Sequence, residues 1–342
     1  MNLKAVLGLF QETFAEWSKD KASRLAASLS YYTIFSIAPL LIIVIAIAGA
    51  VFGEDAARGA IEAQLHGLLG EGATVVQTAI KSASQPQQGT VASLISVGLL
   101  FFGATGVFTE LQDSLNTIWE VQPKPGRAVK TIVRQRFLSF AMVLGIGFLL
   151  LVSLVISTAL TATVSYFSNA LPSVNILWQF INFVLAFAIT TSLFGLIFKV
   201  LPDVKITWSD VWIGAAITSL LFSFGRFLLG QYLARTSFSS TYGAAGSIVA
   251  ILVWVYYAAQ ILFFGAEFTQ VYARKYGSQI VPDKNAIPLT EETRLQQGMK
   301  PNNPEETHKR VGNRGKAHLI TRLFRAFKKP LRFKIKKKNR NL

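Results

Sequence analysis

Residues 137–198 read FLSFAMVLGIGFLLLVSLVISTALTATVSYFSNALPSVNILWQFINFVLAFAITTSLFGLIF, 62 consecutive positions without Asp, Glu, Lys or Arg between Arg136 and Lys199. As one helix this stretch would be about 90 Å long, three times a hydrocarbon layer of about 30 Å. Leu171-Pro172-Ser173-Val174-Asn175 supplies turn chemistry in its middle. The run therefore predicts two membrane helices, over 140–165 and 177–198, joined by a tight outer loop.

The same reading extends in both directions. Residues 25–53 carry no charge between Arg24 and Glu54 and predict a first span. Thr90 to Thr109 predicts a second, Val211 to Leu229 a fifth, and Tyr242 to Phe264 a sixth. Period-two alternation over about 10 residues, the signature of a membrane β-barrel, is missing from these runs. Ala48-Gly49-Ala50 resembles a signal-cleavage site, but the apolar run is too long and the 24 residues before it too amphipathic for a removed leader. The expected fold class is all-α, a polytopic bundle of about six transmembrane helices.

Composition agrees. Charged residues make up 15% of the 342, against about 25% in soluble domains. Of 34 Lys+Arg, 19 fall in residues 265–342 with 6 of the 18 Asp+Glu, so the tail carries +13 of the net +16. With no cysteine, disulfides and thiolate metal sites are excluded. His66, His308 and His318 are scattered outside the apolar segments and have no metal-ligand spacing. No cofactor, metal or enzymatic activity is expected.

Orientation follows from Lys and Arg placement. Lys4, Lys19, Lys21 and Arg24 precede the first span. Lys124, Arg127, Lys130, Arg134 and Arg136 lie between the second and third, and Lys199 and Lys205 between the fourth and fifth. The intervening loops are poor in cations: Arg58 and Lys81 face Glu54, Asp55, Glu62 and Glu71, the next loop is uncharged, and the last has Arg235. Six spans satisfy the bias at every loop, which puts both termini in the cytoplasm.

Three regions result: an amphipathic segment over 1–24, a six-helix domain over 25–276, and a basic tail over 277–342. In the first, Leu3, Val6, Leu7, Phe10, Phe14 and Trp17 repeat at helical spacing, either to lie in the inner interface or to pack on the bundle. The tail, with prolines at 282, 288, 301 and 304, is expected to be largely disordered. Its end interleaves apolar residues with Lys and Arg. Membrane adhesion is the first expectation for it and nucleic acid a weaker one.

Polar groups inside an apolar span are the best pointer to function, because each costs free energy unless satisfied. Ser28, Tyr32 and Ser36 share one helical face next to Tyr31, and Pro39 leaves the Phe35 carbonyl without its helical donor. That face reads as a substrate-facing surface or as helix–helix packing. Arg226 is the one basic residue placed within a span; it reads as a snorkelling side chain or a headgroup contact, and it is expected to share a cavity with the Ser28 face. Tyr232, Tyr242 and Glu267 complete the intramembrane candidates. Glu110, Asp113, Asn116, Arg134 and Arg136 form a candidate charge cluster at the inner boundary. Thr207-Trp208-Ser209-Asp210 matches a capping box, so Asp210 reads first as a cap. Gly214, Thr218 and Gly225, with Gly243 and Gly246, are small-residue packing material that would also serve a homo-oligomer.

Several of these segments together resemble the YihY/virulence factor BrkB family of inner-membrane proteins. They are Ala27-Ser28-Leu29-Ser30-Tyr31-Tyr32 through Pro39, Leu115-Asn116-Thr117-Ile118-Trp119, Leu201-Pro202, Gly225-Arg226 with Tyr232, Tyr242-Gly243 with Gly246-Ser247, and Gly265-Ala266-Glu267. The resemblance covers about residues 10–275. It implies a six-helix plasma-membrane protein linked to envelope integrity, with lipid handling as a proposed activity. Some members carry a ribonuclease BN label, which would require clustered metal ligands that this sequence lacks. The expectation is a transporter-like protein whose partners are membrane lipids, anionic ones first. The alternative is a structural or regulatory envelope protein with a basic lipid- or partner-binding tail.

Overall fold

The computed structural model describes residues 3–69, 73–83, 90–126, 174–235, 246–278 and 280–300. Helix α1 (Leu3–Lys19) turns through Lys21, which has a left-handed φ of 54°, into α2 (Ala22–Phe52). Two shorter helices follow, α3 (Glu54–Leu69) and α4 (Ala73–Ala83), then α5 (Thr90–Ile118) and strand β1 (Val121–Pro123). After the undescribed 127–173 come α6 (Val174–Val200), β2 (Val204–Lys205), α7 (Trp208–Arg235) and α8 (Gly246–Tyr276). Strands β3 (Val281–Pro282) and β4 (Ala286–Pro288) close this part of the chain.

Among the described residues, four helices are long and apolar enough to cross a membrane, at Ala22–Ala50, Phe183–Val200, Trp208–Leu229 and Ile248–Tyr276. They correspond to expected spans one, four, five and six. Expected span two lies within α5, and span three, at 140–165, lies outside the described residues. Helix α8 continues twelve residues beyond Phe264, so Glu267, Arg274 and Lys275 stand on the helix.

The packing order is set by small residues. Helix α2 lies between α5 and α8, and α7 between α6 and α8. Along α7 and α8, a Cβ added at Gly214 would overlap Thr269, one at Gly265 would overlap Thr218, and one at Gly225 would overlap Tyr257. These contacts run antiparallel at matched levels, so the two backbones approach closely along the whole crossing. The half of the core at the α1 end gathers Ala22, Ala26 and Leu29 with Leu115, Trp119, Phe198 and Phe263. The opposite half gathers Ala38, Ile45 and Ala48 with Ile61, Val76, Ile80 and Ile251.

Helix α1 resolves the choice between interface and bundle by a quarter-turn. Its buried residues are Leu9 and Thr13, and Leu9 packs with Phe268 and Val271 of α8, while Leu7 and Phe14 of the expected stripe stay exposed. One face therefore docks, and the apolar face beside it remains available to the interface. Trp208 and Trp212, exposed with ring centroids 6.0 Å apart at the start of α7, mark the same boundary.

The end of the bundle next to α1 is knitted by two antiparallel pairs, β1 with β4 and β2 with β3. One strap, residues 280–289, thus joins the segment after α5 to the loop between α6 and α7. The compact unit runs to Leu289, past the expected boundary at 277, because the strap completes backbone hydrogen bonds of both segments. The second unit begins at Thr290, whose hydroxyl caps the short helix α9 (Glu291–Gln296). The expectation of disorder over 301–342 falls outside the described residues.

Candidate functional site

Among the described residues, two regions gather several of the polar side chains singled out in the sequence. The first is the seam between α2 and α5. Ser36 is buried, and a Cβ at Gly106 would sit 3.4 Å from its Oγ and 3.7 Å from the Tyr32 ring. A Cβ at Gly103 would lie 3.0 Å from Pro39 Cγ. The glycines of α5 therefore admit the Tyr32–Ser36–Pro39 face, and the expected polar stripe lies along the α5 crossing. Ser28, one turn earlier, is half-buried. At the lip of this seam Tyr31, Tyr32 and Phe35 are 61%, 42% and 64% exposed. Tyr31 packs edge-on to Tyr32 and against Phe35, at centroid distances of 5.9 Å and 5.0 Å. The other hydroxyls in this part of α2 are satisfied locally: Ser30 donates to the Ala26 carbonyl and Thr33 to that of Leu29.

Arg226 does not share this seam. It is exposed on α7, among exposed Phe224, Phe227 and Leu228, and α8 lies between α7 and α2. It stands 18 residues into α7, about 27 Å along the axis, near the far boundary of a layer about 30 Å thick. That is snorkelling distance from a headgroup region. Glu267 is fully buried in α8, next to the Gly265–Thr218 contact. Tyr232 lies on α7 with its side chain outside the described residues, and Tyr242 is outside them altogether.

The second region is the cap formed by the strap at the α1 end of the bundle. Asn116 is buried at the end of α5 and binds Asp203, which follows Leu201-Pro202. Gln112, one turn back on α5, donates to the same carboxylate at 3.4 Å. The Asp203 carbonyl accepts from the Asp283 amide of the strap at 2.8 Å. Of the expected charge cluster, Asn116 is the member that the cap uses; Glu110 is half-buried, Asp113 is exposed, and Arg134 and Arg136 lie outside the described residues.

Asp210 does more than close a first turn. The Thr207 hydroxyl donates to it at 2.8 Å, and the Ser278 amide and hydroxyl both donate to it at 2.9 Å. A Cβ at Gly277 would collide with the carboxylate, so glycine is required where the chain leaves α8. Asp210 thereby ties the start of α7 to the end of α8.

Helix α1 is pinned to α8 by charge. Arg274 donates to Glu12 at 3.2 Å and to Glu16 at 3.1 Å, Lys275 pairs with Glu12, and Lys19 pairs with Glu16 at 2.7 Å. Burial opposes ionisation of Glu16, but Lys19 and Arg274 outweigh it and hold its carboxyl below the ordinary value. Asp203, Ser278 and Arg274 escape a reading of the sequence because their partners are remote; the Leu201-Pro202 turn was the one local signal near them.

A family model described as Virulence factor BrkB matches residues 13–289, ending where the compact unit ends. A UPF0761 membrane protein of Psychrobacter sp. is 24% identical over 77% of this chain and 48% of its own length. One from Teredinibacter turnerae is 25% identical over 80% of this chain and 63% of its own, and one from Halorhodospira halophila 28% over 79% and 59%. The chain thus spans about half to three-fifths of the length of these relatives. No solved structure matches it.

Proposed function

The chain belongs to the Virulence factor BrkB family, and from that membership we propose that it is a transporter-like integral membrane protein handling an anionic lipid or similar envelope amphiphile. It would sit in a bacterial inner membrane with both termini cytoplasmic. The observation that carries this reading is the open seam on α2. Tyr31 and Tyr32 stand 7 and 8 residues past Arg24, so their rings lie roughly 10 Å inside the hydrocarbon layer, and both are exposed. Tyrosines favour the membrane–water boundary; exposed at this depth they are costly unless something polar passes them. Aromatic faces for chains beside hydroxyls for a headgroup, next to the glycine-lined α5, suit a lateral path for an amphiphile.

The test is movement of labelled phosphatidylglycerol in vesicles reconstituted with the protein. Flux above that of empty vesicles, lowered several-fold by Tyr32→Phe with Ser36→Ala, is expected. Flux equal to that of empty vesicles refutes transport. A non-transporting structural or regulatory role is the second reading, favoured by the cap at the α1 end, where one strap fastens two segments. We place a ribonuclease role below both, since among the described residues no three metal-ligating side chains converge.

A further inference from the structure

Helices α3 and α4 are amphipathic, and both bury one face on α2. On α3, Ala57, Ile61 and Leu65 follow at i, i+4 and i+8; on α4, Ala73, Val76 and Ile80 follow at i, i+3 and i+7. Beside each apolar stripe stands an i, i+4 pair of polar residues: Arg58 and Glu62 on α3, Gln77 and Lys81 on α4. These four, with Thr78, wall a cavity of about 250 Å³. Its floor is Ile45, Ile61 and Ile80, all buried.

Two cations line one small cavity from different helices, and among the described residues Glu62 is the carboxylate on its wall. Arg58 Nη2 also contacts Glu54 at 3.2 Å, which leaves most of its planar fork of donors uncommitted. The Gln77 amide supplies a further donor. Thr78 has given its proton to the Thr74 carbonyl at 2.8 Å, so its oxygen is left as an acceptor. Depth fixes the setting: Ile45 is 21 residues past Arg24, so about 31 Å of helix separates them, one hydrocarbon thickness. The cavity therefore stands at headgroup level of the leaflet away from α1, and isoleucines turn its floor towards the acyl region.

We propose that this cavity between α2, α3 and α4 binds a phosphate-ester anion, with Arg58 and Lys81 as its cationic contacts, Gln77 as a neutral donor, and Glu62 and Thr78 accepting from a hydroxyl or ammonium on the same group. The choice of ligand class rests on the reading of the chain as a handler of an anionic amphiphile. The cavity holds a phosphodiester with its small substituent but no acyl chain, which would leave along α2, where Ile47 is exposed.

The test titrates detergent-purified protein with dihexanoyl-phosphatidylglycerol and, separately, with glycerol 3-phosphate, by calorimetry. Arg58→Ala and Lys81→Ala should each weaken binding about tenfold, the effect of losing a charge-assisted hydrogen bond. Glu62→Gln keeps an acceptor for the glycerol hydroxyl and removes the negative charge that opposes the phosphate, so it should tighten binding of both probes, a gain that misfolding cannot produce. Tighter binding of the lipid than of glycerol 3-phosphate identifies a membrane headgroup, and equal binding identifies a soluble ester. Unchanged affinity in the Arg58→Ala/Lys81→Ala double variant, or weaker binding in Glu62→Gln, overturns the site. Vesicle flux separates the two readings: binding that the double variant abolishes, without flux in the wild type, keeps the site and removes transport. Flux with unchanged binding in the double variant does the reverse.

Discussion

Asn116 holds Asp203 at two points: its side-chain amide donates to Oδ2 of the carboxylate at 3.1 Å, and its carbonyl accepts from the Asp203 backbone N–H at 2.7 Å. The end of α5 is thereby fixed to the turn after α6, 87 residues away. Asn116 is buried and Asp203 half-buried, so removing the Asn116 side chain leaves the Asp203 carboxylate and backbone N–H each short of a bond. Asn116→Ala should cost roughly 2–4 kcal/mol, one neutral and one charge-assisted hydrogen bond. Thermal unfolding in detergent, followed by size-exclusion chromatography, measures it. A melting temperature equal to the wild type would show that the clasp contributes nothing.

Gly214 and Thr269 make the second prediction. A side chain on α7 at that point meets the Thr269 side chain on α8, so Gly214→Ala should push the helices apart and cost about 1–3 kcal/mol, the usual range for overpacking. Thr269→Gly in the same chain removes the obstruction and should restore part of the loss. A double variant no more stable than Gly214→Ala alone would place the damage elsewhere.

How far these contacts can be read in advance depends on their range. Charge-free runs marked α2, α6 and α7, because hydrocarbon excludes charge over a whole span and the signal is local. Apolarity fades at Phe264, where the sixth span is expected to end, twelve residues before α8 does. The helix continues on different support: Arg274 reaches Glu12 and Glu16, some 260 positions earlier in the chain. The Ser28 face was legible as a stripe, but the glycines of α5 that receive it decide its use. Nothing in the sequence around Asp203 points to Asn116 or to the strap, 87 and 80 positions away. Arg58 and Lys81 registered only as charges of an outer loop, since nothing within α3 or α4 shows that the two helices enclose a space.

The Glu16 carboxyl gives a pH dependence. Its folded pKa lies below its ordinary value, so its ionised form favours the folded state. The stabilisation is fully present above the ordinary carboxyl range and is lost as pH falls through the lowered folded value. Docking of α1 on α8 should therefore hold at neutral pH and loosen in acid, seen as faster amide exchange over residues 9–17. Glu16→Gln should flatten its share of that dependence and loosen the helix at neutral pH. Exchange in Glu16→Gln identical to the wild type at every pH would exclude the contact as the cause.

The strap gives the last prediction, and it separates two truncations. Residues 280–289 pair with β1 and with β2, the Leu289 amide donates to the Glu120 carbonyl at 2.7 Å, and Lys124 Nζ donates to the Lys284 carbonyl at 2.6 Å. The two strand pairs and the Leu289 bond satisfy backbone groups of the segments that emerge from α5 and α6, and backbone groups left without partners away from water are costly. A chain ending at Leu289 keeps all of them and ends with the compact unit. It should elute as a single monodisperse species with a melting temperature within a few degrees of the full chain. A chain ending at Ser278 keeps the Asp210 contacts but loses both strand pairs, and it should aggregate or melt well below the longer truncation. Equal behaviour of the two would mean that the membrane helices hold these ends of α5 and α6 together without help, leaving the strap as a passenger on a bundle that is already closed.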